Sequence, residues 1–311
     1  MPDYTLRHAT IADLRRNLHL WEPDRELFAP AIWDRLGDLI EPLLAAQRLR
    51  IALIEERDTL RVCLLGGCCF VEPGLMRQAI ATEGSTFINA LFTMVAEGRT
   101  PFLSPKQIAV ANAAGELIAF SFLGVPDLDY SVEPMSVEDG LLAAVVFQSY
   151  GFFHAGYQKL EGWGETLRPA VRQIFARIGA PTEVRERITH NGKPSWLFRQ
   201  TLAEAQANPG AAFVFQFLAR PPKLGLTTSM QNVIENALLG HSDLEIGQLL
   251  GISEETLKKR WRAIYLQVQR AEPQLLQGAT PQMKRKLLVD ALRHRIEEIR
   301  PYRKASAPSS P

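Results

Sequence analysis

The spacing of apolar residues over positions 1–220 switches repeatedly between the two-residue period of strands and the 3.6-residue period of helices. Strands are predicted at residues 4–7, 50–56, 60–71, 107–110, 117–125, 182–189 and 195–201. Helices are predicted at residues 31–47, 86–96, 136–153 and 165–178. Strands and helices mixed in this way predict an α+β N-terminal domain over residues 1–220, with a mixed sheet and flanking helices.

Turn and cap residues sharpen several of these elements. Ser85 is placed to cap the helix that follows it, because its hydroxyl can accept a hydrogen bond from the first turn. The strands at 107–110 and 117–125 are separated by a short polar and glycine-containing stretch, which indicates a hairpin. The Asn191-Gly192 pair predicts a second hairpin, because both residue types accept the positive φ of a tight turn.

Beyond a proline-rich boundary at 220–224 the apolar pattern becomes wholly helical. Three helices follow, and their core-facing side chains are expected to be Met230, Val233, Ile234, Ala237 and Leu238, then Leu244, Ile246, Leu249 and Leu250, then Leu257, Trp261, Ile264, Tyr265 and Val268. The turn before the third helix begins at Gly251, which accepts a positive φ, and ends at Ser253, which caps the helix. This arrangement predicts an all-α helix-turn-helix domain over residues 221–304.

The exposed side of the third helix concentrates basic residues in its first two turns. A recognition helix enters the major groove of DNA by its N-terminal half. Lysine and arginine there can neutralise phosphates or bond to guanine, and threonine suits a phosphate or thymine. The predicted DNA-binding residues are Ser253, Thr256, Lys258, Lys259, Arg260 and Arg262. A charge run is usually a solvated helix face, but the turn directly upstream favours contact with DNA.

A longer string of residues around the turn follows fixed intervals. Leu226-Thr227 is followed by GHSDLEIGQLLGISEETLK from Gly240 and then by Ile264-Tyr265. Over residues 226–268 the chain therefore resembles the LuxR/GerE-type DNA-binding domain, with LT, G-x-S-[ND]-x-E-I-A-x-x-L-G-I-S-x-x-T-V-K and I-Y. The resemblance implies a helix-turn-helix that binds DNA. Two departures are Gly247 in place of alanine and Lys259-Arg260 in place of Asn-His, so no operator sequence is implied.

Charge is divided unevenly along the chain. Residues 221–311 hold 14 Lys and Arg against 9 Asp and Glu, a balance of +5, whereas the remainder carries −4. A basic end on a mildly acidic body is typical of a module that binds a polyanion. No apolar run approaches the ~20 residues needed to cross a bilayer, and no signal sequence opens the chain. We expect a soluble cytoplasmic protein with no membrane partner.

Residue types that usually carry catalysis or metal binding show no organised pattern. Cys63, Cys68 and Cys69 lie on one apolar strand, which indicates buried, inert thiols rather than disulfides or a redox sensor. The histidines lack paired ligand spacing, and neither a nucleophile elbow nor a phosphate loop is present. No metal, cofactor or catalytic residue is therefore predicted. Asp127 and Asp129 are expected to be solvated loop acids.

The element order of the N-terminal domain follows a recognisable layout. LRHATIADL at 6–14 precedes the mixed sheet, and IFARIG at 174–179 precedes the Asn-Gly hairpin. This order is similar to that of GNAT acetyltransferases. The loop [QR]-x-x-G-x-[GA], which would cradle the pyrophosphate of acyl-CoA, is not evident, so the resemblance implies the fold and not the catalysis. The aromatic stretch 147–163 is either core or the wall of a ligand cavity.

These observations predict a sequence-specific DNA-binding transcriptional regulator that is not an enzyme. The partners expected are double-stranded DNA, a second copy of the chain, and a small-molecule or protein effector of the N-terminal domain. The alternative is an acyltransferase-like enzyme or acyl-CoA-binding protein with an appended DNA-binding module, and a protein-binding scaffold is a third possibility. A basic amphipathic helix at 281–300 is expected to pack on the body or to form a dimer seam, and a disordered tail is expected at 305–311.

Overall fold

Two compact units make up the structure, a computed structural model. It describes residues 4–56, 58–124, 141–142, 145–146, 154, 156–169, 171–173, 183–207, 222–293 and 295–300. The N-terminal unit comprises Met1–His154 and Gln158–Phe217, and the C-terminal unit comprises Ala155–Tyr157 and Leu218–Pro311. The predicted domain boundary at residue 220 and the predicted tail at 305–311 lie outside the described residues. Among the described helices, none is both long enough and apolar enough to span a membrane.

A seven-stranded sheet runs through the N-terminal unit. Its strands are β1 (Tyr4–His8), β2 (Leu49–Glu56), β3 (Val62–Phe70), β4 (Leu117–Gly124), β5 (Lys159–Thr166), β6 (Glu183–Ile188) and β7 (Pro194–Thr201). The spatial order is β1-β2-β3-β4-β5-β7-β6. Every neighbouring pair is antiparallel except β4 and β5, which are parallel, so the sheet is mixed as predicted.

Helices accompany this sheet in the described part of the unit, and several of them begin at a residue whose side chain caps the helix. They are α1 (Ile11–Asn17), α2 (Pro30–Trp33), α3 (Leu36–Ala45), α4 (Pro73–Ala81), α5 (Phe87–Ala96), α6 (Pro105–Ala114) and α7 (Leu202–Ala207), with a 3-10 helix at Leu18–Leu27. At the start of α1, the Thr10 hydroxyl accepts from the Asp13 N–H, and the Asp13 carboxylate accepts from the Thr10 N–H. This reciprocal pair satisfies two backbone donors at the helix end.

The larger hydrophobic core lies against one face of the sheet. Its fully buried members include Leu36, Ile40, Phe87, Leu91, Phe92, Phe120 and Leu197. The rings of Phe87 and Phe120 meet edge to face with centroids 4.8 Å apart. Side chains alternate along a strand, so Ile54 and Leu64 point to the opposite face, where they pack with Val146 in a smaller cluster.

One predicted strand is wrong. Residues 107–110 belong to helix α6, which has Ser104 as its N-cap, Pro105 as its first residue and a left-handed Gly115 after its last. The Ser104 hydroxyl and the Gln107 side chain form a capping box. These end signals override the short apolar run that had indicated a strand and a hairpin.

Other N-terminal helix predictions need smaller corrections. The cap of α5 is Thr86, whose hydroxyl accepts from the Asn89 N–H, and not Ser85. The helix predicted at 31–47 is two helices, α2 and α3. Most of the helix predicted at 136–153, the loop with Asp127 and Asp129, and residues 174–182 lie outside the described residues.

Strand β5 was missed by the sequence prediction. Its C-terminal residues Glu165 and Thr166 fall within the helix predicted at 165–178, so that prediction is wrong at its start. Glycines at 162 and 164 remove the alternation by which a strand is recognised. Trp163 nevertheless faces the large core. The formation of this strand therefore depends more on its hydrogen bonds to β4 and β7 than on the pattern of its own residues.

The described residues of the C-terminal unit form helices. They are α8 (Thr228–Leu238), α9 (Asp243–Leu250), α10 (Glu254–Ala271) and α11 (Pro281–Leu292), with 3-10 helices at Pro273–Leu276 and Ile296–Glu298. The apolar positions Leu257, Trp261, Ile264 and Val268 of α10 are buried as predicted, and Tyr265 is half-buried.

Two of the four leucine and isoleucine positions expected to face inward from α9 point outward instead. Leu244 is 73% exposed and Leu249 is 46% exposed. Ile246 and Gly247 are buried and Leu250 is half-buried, so they define the inner face. At 100° per residue, Leu244 and Leu249 lie about 110° to either side of the centre of that face.

The last described residues of the C-terminal unit are tied to α8 and to the segment that precedes it. The helix predicted at 281–300 ends at Leu292 in α11, whose buried face packs on α8 within the same unit. The carboxylate of Glu298 then accepts from the backbone N–H groups of Lys223 and Leu224. The Arg300 guanidinium, which is fully buried, pairs with Glu235 of α8 at 2.8 Å.

Candidate nucleic-acid interface

The turn between α9 and α10 sets the direction in which α10 leaves the unit. Gly251 adopts φ of 61°, a left-handed conformation that ends α9 with little steric cost because glycine lacks a Cβ. Ser253 then caps α10, since its hydroxyl accepts from the Thr256 N–H at 3.2 Å. At the start of α9, Ser242 and Glu245 form a capping box. Both helix starts are therefore fixed by local hydrogen bonds.

Gly247 allows the turn to pack closely on α9. A Cβ placed there would lie 3.1 Å from the carbonyl oxygen of Ile252, closer than most real Cβ contacts. The backbone N–H of Ile252 donates to the Gly247 carbonyl at 2.9 Å. Gly247 lowers intrinsic helix propensity, but it lets the chain after Gly251 return against its own helix.

The buried side of α10 holds the helix against the rest of the unit. Trp261 donates its indole N–H to the Asp243 carboxylate at 3.1 Å and stacks on Tyr265 with ring centroids 5.7 Å apart. Burial, and then the nearby Asp243 charge, raise the pKa of the Tyr265 phenol. The guanidinium of Arg285, from α11, lies 5.5 Å from the centroid of the Trp261 ring, within the range of a cation–π interaction.

The opposite side of α10 presents the basic residues. The Lys258 and Lys259 side chains are 64% and 70% exposed, and Thr256 and Arg262 are also exposed. Arg260 is half-buried, because it lies only about 70° around the helix from the centre of the buried face. Lys259 lies almost directly opposite that face, so it projects furthest from the unit.

Each lysine is paired with a glutamate one turn earlier. Lys258 bonds to Glu254 at 2.6 Å, and Lys259 bonds to Glu255 at 2.7 Å. The hydrogen bond from Lys258 lowers the pKa of Glu254, so this carboxylate is charged at neutral pH. These pairs are solvent-exposed and therefore weak, and a phosphate can replace the glutamates as the partner of each ammonium group.

The six residues predicted to bind DNA fall into two roles. Ser253 holds the helix start, and its hydroxyl also lies 2.9 Å from that of Thr256. The other five, Thr256, Lys258, Lys259, Arg260 and Arg262, are carried by the first nine residues of α10. The structure therefore groups them on one helix end, with Arg260 at the margin of the exposed face.

Arg285 is a residue of this region that the sequence prediction did not single out. It donates to the backbone carbonyl of His241 at 2.7 Å and lies 3.5 Å from the Asp243 carboxylate. It therefore joins α11 to the N-terminus of α9 and to Trp261 of α10. Arg285 belongs to the basic run Lys284-Arg285-Lys286 of the predicted amphipathic helix at 281–300, and this run is the sequence feature that could have indicated it.

A different feature of the N-terminal unit lies where its two parallel strands meet. The β4–β5 ladder begins at Leu117 and Lys159 and ends at Ser121 and Gly164. Beyond this point β4 continues to pair with β3, and β5 continues to pair with β7. The two strands therefore stop bonding to each other while each remains in the sheet, which leaves a break between their C-terminal ends.

Groups of three or more potential metal ligands are absent from the described residues. In comparisons with known proteins, no family model matches the chain, and no curated protein matches it.

Proposed function

We propose that the protein is a sequence-specific transcriptional regulator that binds double-stranded DNA through a helix-turn-helix domain at 221–304. The observation that carries the proposal is the geometry of α10, whose buried face anchors the helix while its N-terminal half presents Thr256, Lys258, Lys259 and Arg262 to solvent. This is the part of a recognition helix that enters the major groove. The resemblance of residues 226–268 to the LuxR/GerE-type domain supports the same function.

Roles for the side chains follow from their positions. Lys259 and Arg262 project furthest from the unit and would contact phosphates or guanine edges, while Thr256 would contact a base or the backbone. Lys258 would neutralise a phosphate after leaving Glu254. Ser253 orients the helix, and Arg260 acts at the edge of the interface.

One short helix reads few base pairs, so the proposal includes a homodimer on two half-sites. The N-terminal unit would then receive a small-molecule or protein signal. A cytoplasmic location is part of this proposal. Light scattering of the full chain, alone and on DNA, tests the dimer.

Salt-dependent DNA binding tests the main proposal. A fluorescent duplex of random sequence is titrated with the full chain at several salt concentrations, and specific sites are then selected from a duplex library. Lys258→Gln with Lys259→Gln should weaken binding, because two phosphate contacts are lost. The slope of log affinity against log salt should fall by about 2.

Arg270→Gln supplies the matched control. Arg270 is exposed on the same helix but lies in its last turn, far from the proposed groove-facing end. This variant should bind as the parent does. A parent chain that fails to bind duplex DNA, or a control that loses as much affinity as the double variant, contradicts the proposal.

A second candidate function is an acyltransferase-like enzyme or an acyl-CoA-binding protein with an attached DNA-binding module. It is favoured by one observation, the strand order with a single parallel pair whose ladder ends at Ser121 and Gly164. Calorimetric titration of the full chain with acetyl-CoA tests it, with ATP as a control for general nucleotide binding. Binding heat with acetyl-CoA but not with ATP supports this candidate. The absence of binding heat with both ligands rejects it.

A further inference from the structure

Three side chains with reactive groups meet inside the N-terminal unit. The Nε2 atom of His154 lies 2.9 Å from the Ser121 hydroxyl, and its Nδ1 atom lies 3.7 Å from the Cys68 sulfur. All three residues are buried, with exposed fractions of 1% for His154, 6% for Ser121 and 8% for Cys68. We refer to these residues as the Cys68 cluster. None of the DNA-binding residues proposed above belongs to it.

The sheet register explains why the cluster forms. Cys68 of β3 lies directly opposite Ser121 of β4, and Ser121 is the last residue of the β4–β5 ladder, opposite Gly164. Gly164 supplies no side chain, and within the described part of the chain a Cβ built there would meet the Ser121 carbonyl oxygen at 3.5 Å. The cluster therefore lies beside the break between β4 and β5.

Two basic residues adjoin members of the cluster. Arg50 of β2 is the register partner of Cys68, so their Cβ atoms are direct cross-strand neighbours. The Lys159 ammonium is fully buried and donates to the backbone carbonyl of His154, which fixes the residue that carries the ring. Cationic neighbours and an adjacent imidazole are the surroundings that favour a thiolate over a thiol.

The hydrogen-bonding capacity of the cluster suits proton transfer from sulfur to the ring. When His154 is neutral, one of its ring nitrogens must accept a hydrogen bond. When it has taken the Cys68 proton, Nδ1–H donates to the thiolate and Nε2–H donates to the Ser121 oxygen. The Ser121 O–H is then available to donate to another molecule. Every donor on the ring has an acceptor in this charged state.

We propose that Cys68 is a peroxide-reactive thiol, with His154 as its proton acceptor, and that its substrate class is hydrogen peroxide or another small hydroperoxide. The burial of the cluster limits access to molecules little larger than water. The proposal stands independently of DNA binding.

The reaction balances with the hydroperoxide as oxidant. The Cys68 thiolate attacks one oxygen of the hydroperoxide, an S–O bond forms and the O–O bond breaks. The departing oxygen takes the proton that His154 received from the thiol, with the Ser121 O–H donating to it during departure. The products are a Cys68 sulfenic acid and water or an alcohol, with sulfur oxidised and peroxide reduced.

The two other cysteines lack this arrangement and serve as internal controls. Cys69 points to the opposite face of β3, and its thiol lies 3.6 Å from the Phe120 carbonyl oxygen. Burial raises the pKa of the Cys69 thiol well above its ordinary value. Burial also raises the pKa of Cys63. Both thiols are therefore held protonated, with no imidazole beside them among the described residues.

Trapping of the sulfenic acid tests the proposal. The folded full chain is treated with hydrogen peroxide for timed intervals, the peroxide is removed with catalase, and the chain is then denatured in the presence of dimedone so that the label reaches any buried sulfenic acid. Adducts on each cysteine peptide are measured by mass spectrometry at each interval. Cys68 should react at least about tenfold faster than Cys63 and Cys69, and His154→Gln should remove most of that advantage. Ser121→Ala should slow the reaction by a smaller factor.

The relative rates of adduct formation at the three cysteines distinguish a loss of Cys68 reactivity from unfolding of the protein. A variant that unfolds exposes all the cysteines and labels them alike, whereas loss of the proton acceptor slows Cys68 alone. Cys68→Ser should remove the fast adduct and leave the slow ones. Equal rates at the three cysteines of the folded parent, or an unchanged Cys68 rate in folded His154→Gln, would overturn the proposal.

Discussion

Two ion pairs of the C-terminal unit have nearly the same length and opposite surroundings. Lys258 and Glu254 are 2.6 Å apart, with side chains 64% and 75% exposed. Arg300 and Glu235 are 2.8 Å apart, with side chains 0% and 2% exposed. Water screens and competes with the first pair, and water is excluded from the second. The distance between the charged atoms therefore says little about how much an ion pair contributes to the stability of the fold.

Burial divides the two pairs into different roles. The exposed pair contributes little to folding, so its lysine can exchange a glutamate for a phosphate at little cost. Loss of either member of the buried pair removes the close partner of a charge that is held away from water, which is costly. The same unit thus uses one pair to hold the segment near residue 300 against α8, whereas the other pair stays exposed to solvent.

The largest expected effect is the loss of one member of the buried pair. Glu235→Gln removes the carboxylate that lies 2.8 Å from the buried Arg300 guanidinium, so the C-terminal unit should lose up to about 3–5 kcal/mol of stability. Hydrogen exchange read on peptides of α8 measures this loss without requiring that both units unfold together. Glu235→Leu combined with Arg300→Met should recover most of it, because both charges of this buried pair are then removed together.

If Glu235→Gln changes the hydrogen exchange of α8 no more than an exposed substitution does, the buried pair is not more stabilising than the exposed pair. Glu254→Gln is the matched exposed substitution, because it also neutralises a glutamate in an ion pair with a basic side chain. It should leave the exchange of α8 unchanged.

Asp24 is an intermediate case with a smaller expected effect. It is 5% exposed, its Oδ2 atom has no hydrogen-bond partner within the described structure, and Arg168 lies 3.8 Å from its other oxygen. Burial outweighs the attraction of Arg168 and raises the pKa of Asp24 to about 6. Ionisation therefore destabilises the folded protein, and stability falls as pH rises from about 4 to 6.

Asp24→Asn should remove this pH dependence. The variant should be more stable than the parent by up to about 3 kcal/mol at pH 8, and the difference should vanish near pH 4. Chemical denaturation at the two pH values measures it. Glu26→Gln is the control, because the hydrogen bond from Lys193 lowers the pKa of Glu26 and the pH effect has the opposite sign. A parent whose stability rises between pH 4 and 6 relative to Asp24→Asn contradicts the assignment.

The same contrast explains what the sequence could predict. Ser253, Gly251 and the exposed lysines of α10 act through neighbours within four residues, and such local rules predicted where the helix begins and which side is basic. The hairpin at Asn191-Gly192 was predicted for the same reason. Features that depend on side chains one to four positions apart are readable from the chain alone.

Features that depend on distant pairing were missed. His154 meets Cys68 across 86 positions and Ser121 across 33, so no spacing rule connects them. Strand β5 lacks a sequence signal because two glycines interrupt its alternation, and its neighbours in the sheet hold it. The wrong strand at residues 107–110 has a different cause: the Ser104 cap and Pro105 are local helix signals, and they outweigh the short apolar run that follows them.

The smallest expected effect on stability comes from the exposed pairs of α10, where the effect on function should be large. Glu254→Gln with Glu255→Gln frees Lys258 and Lys259 from their partners and removes two negative charges from the end of the helix proposed to face DNA. The unfolding midpoint should fall only slightly, because exposed pairs contribute little in water and two first-turn glutamates add a modest interaction with the helix dipole. Affinity for duplex DNA should rise several-fold at low salt and less at high salt, because added ions already screen the repulsion between these glutamates and the DNA phosphates.

Anisotropy titration of this variant beside the Lys258→Gln and Lys259→Gln double variant measures the effect, since the two sets of changes should move DNA affinity in opposite directions. Equal effects on DNA affinity from both sets would mean that the charges of α10 do not face the phosphates.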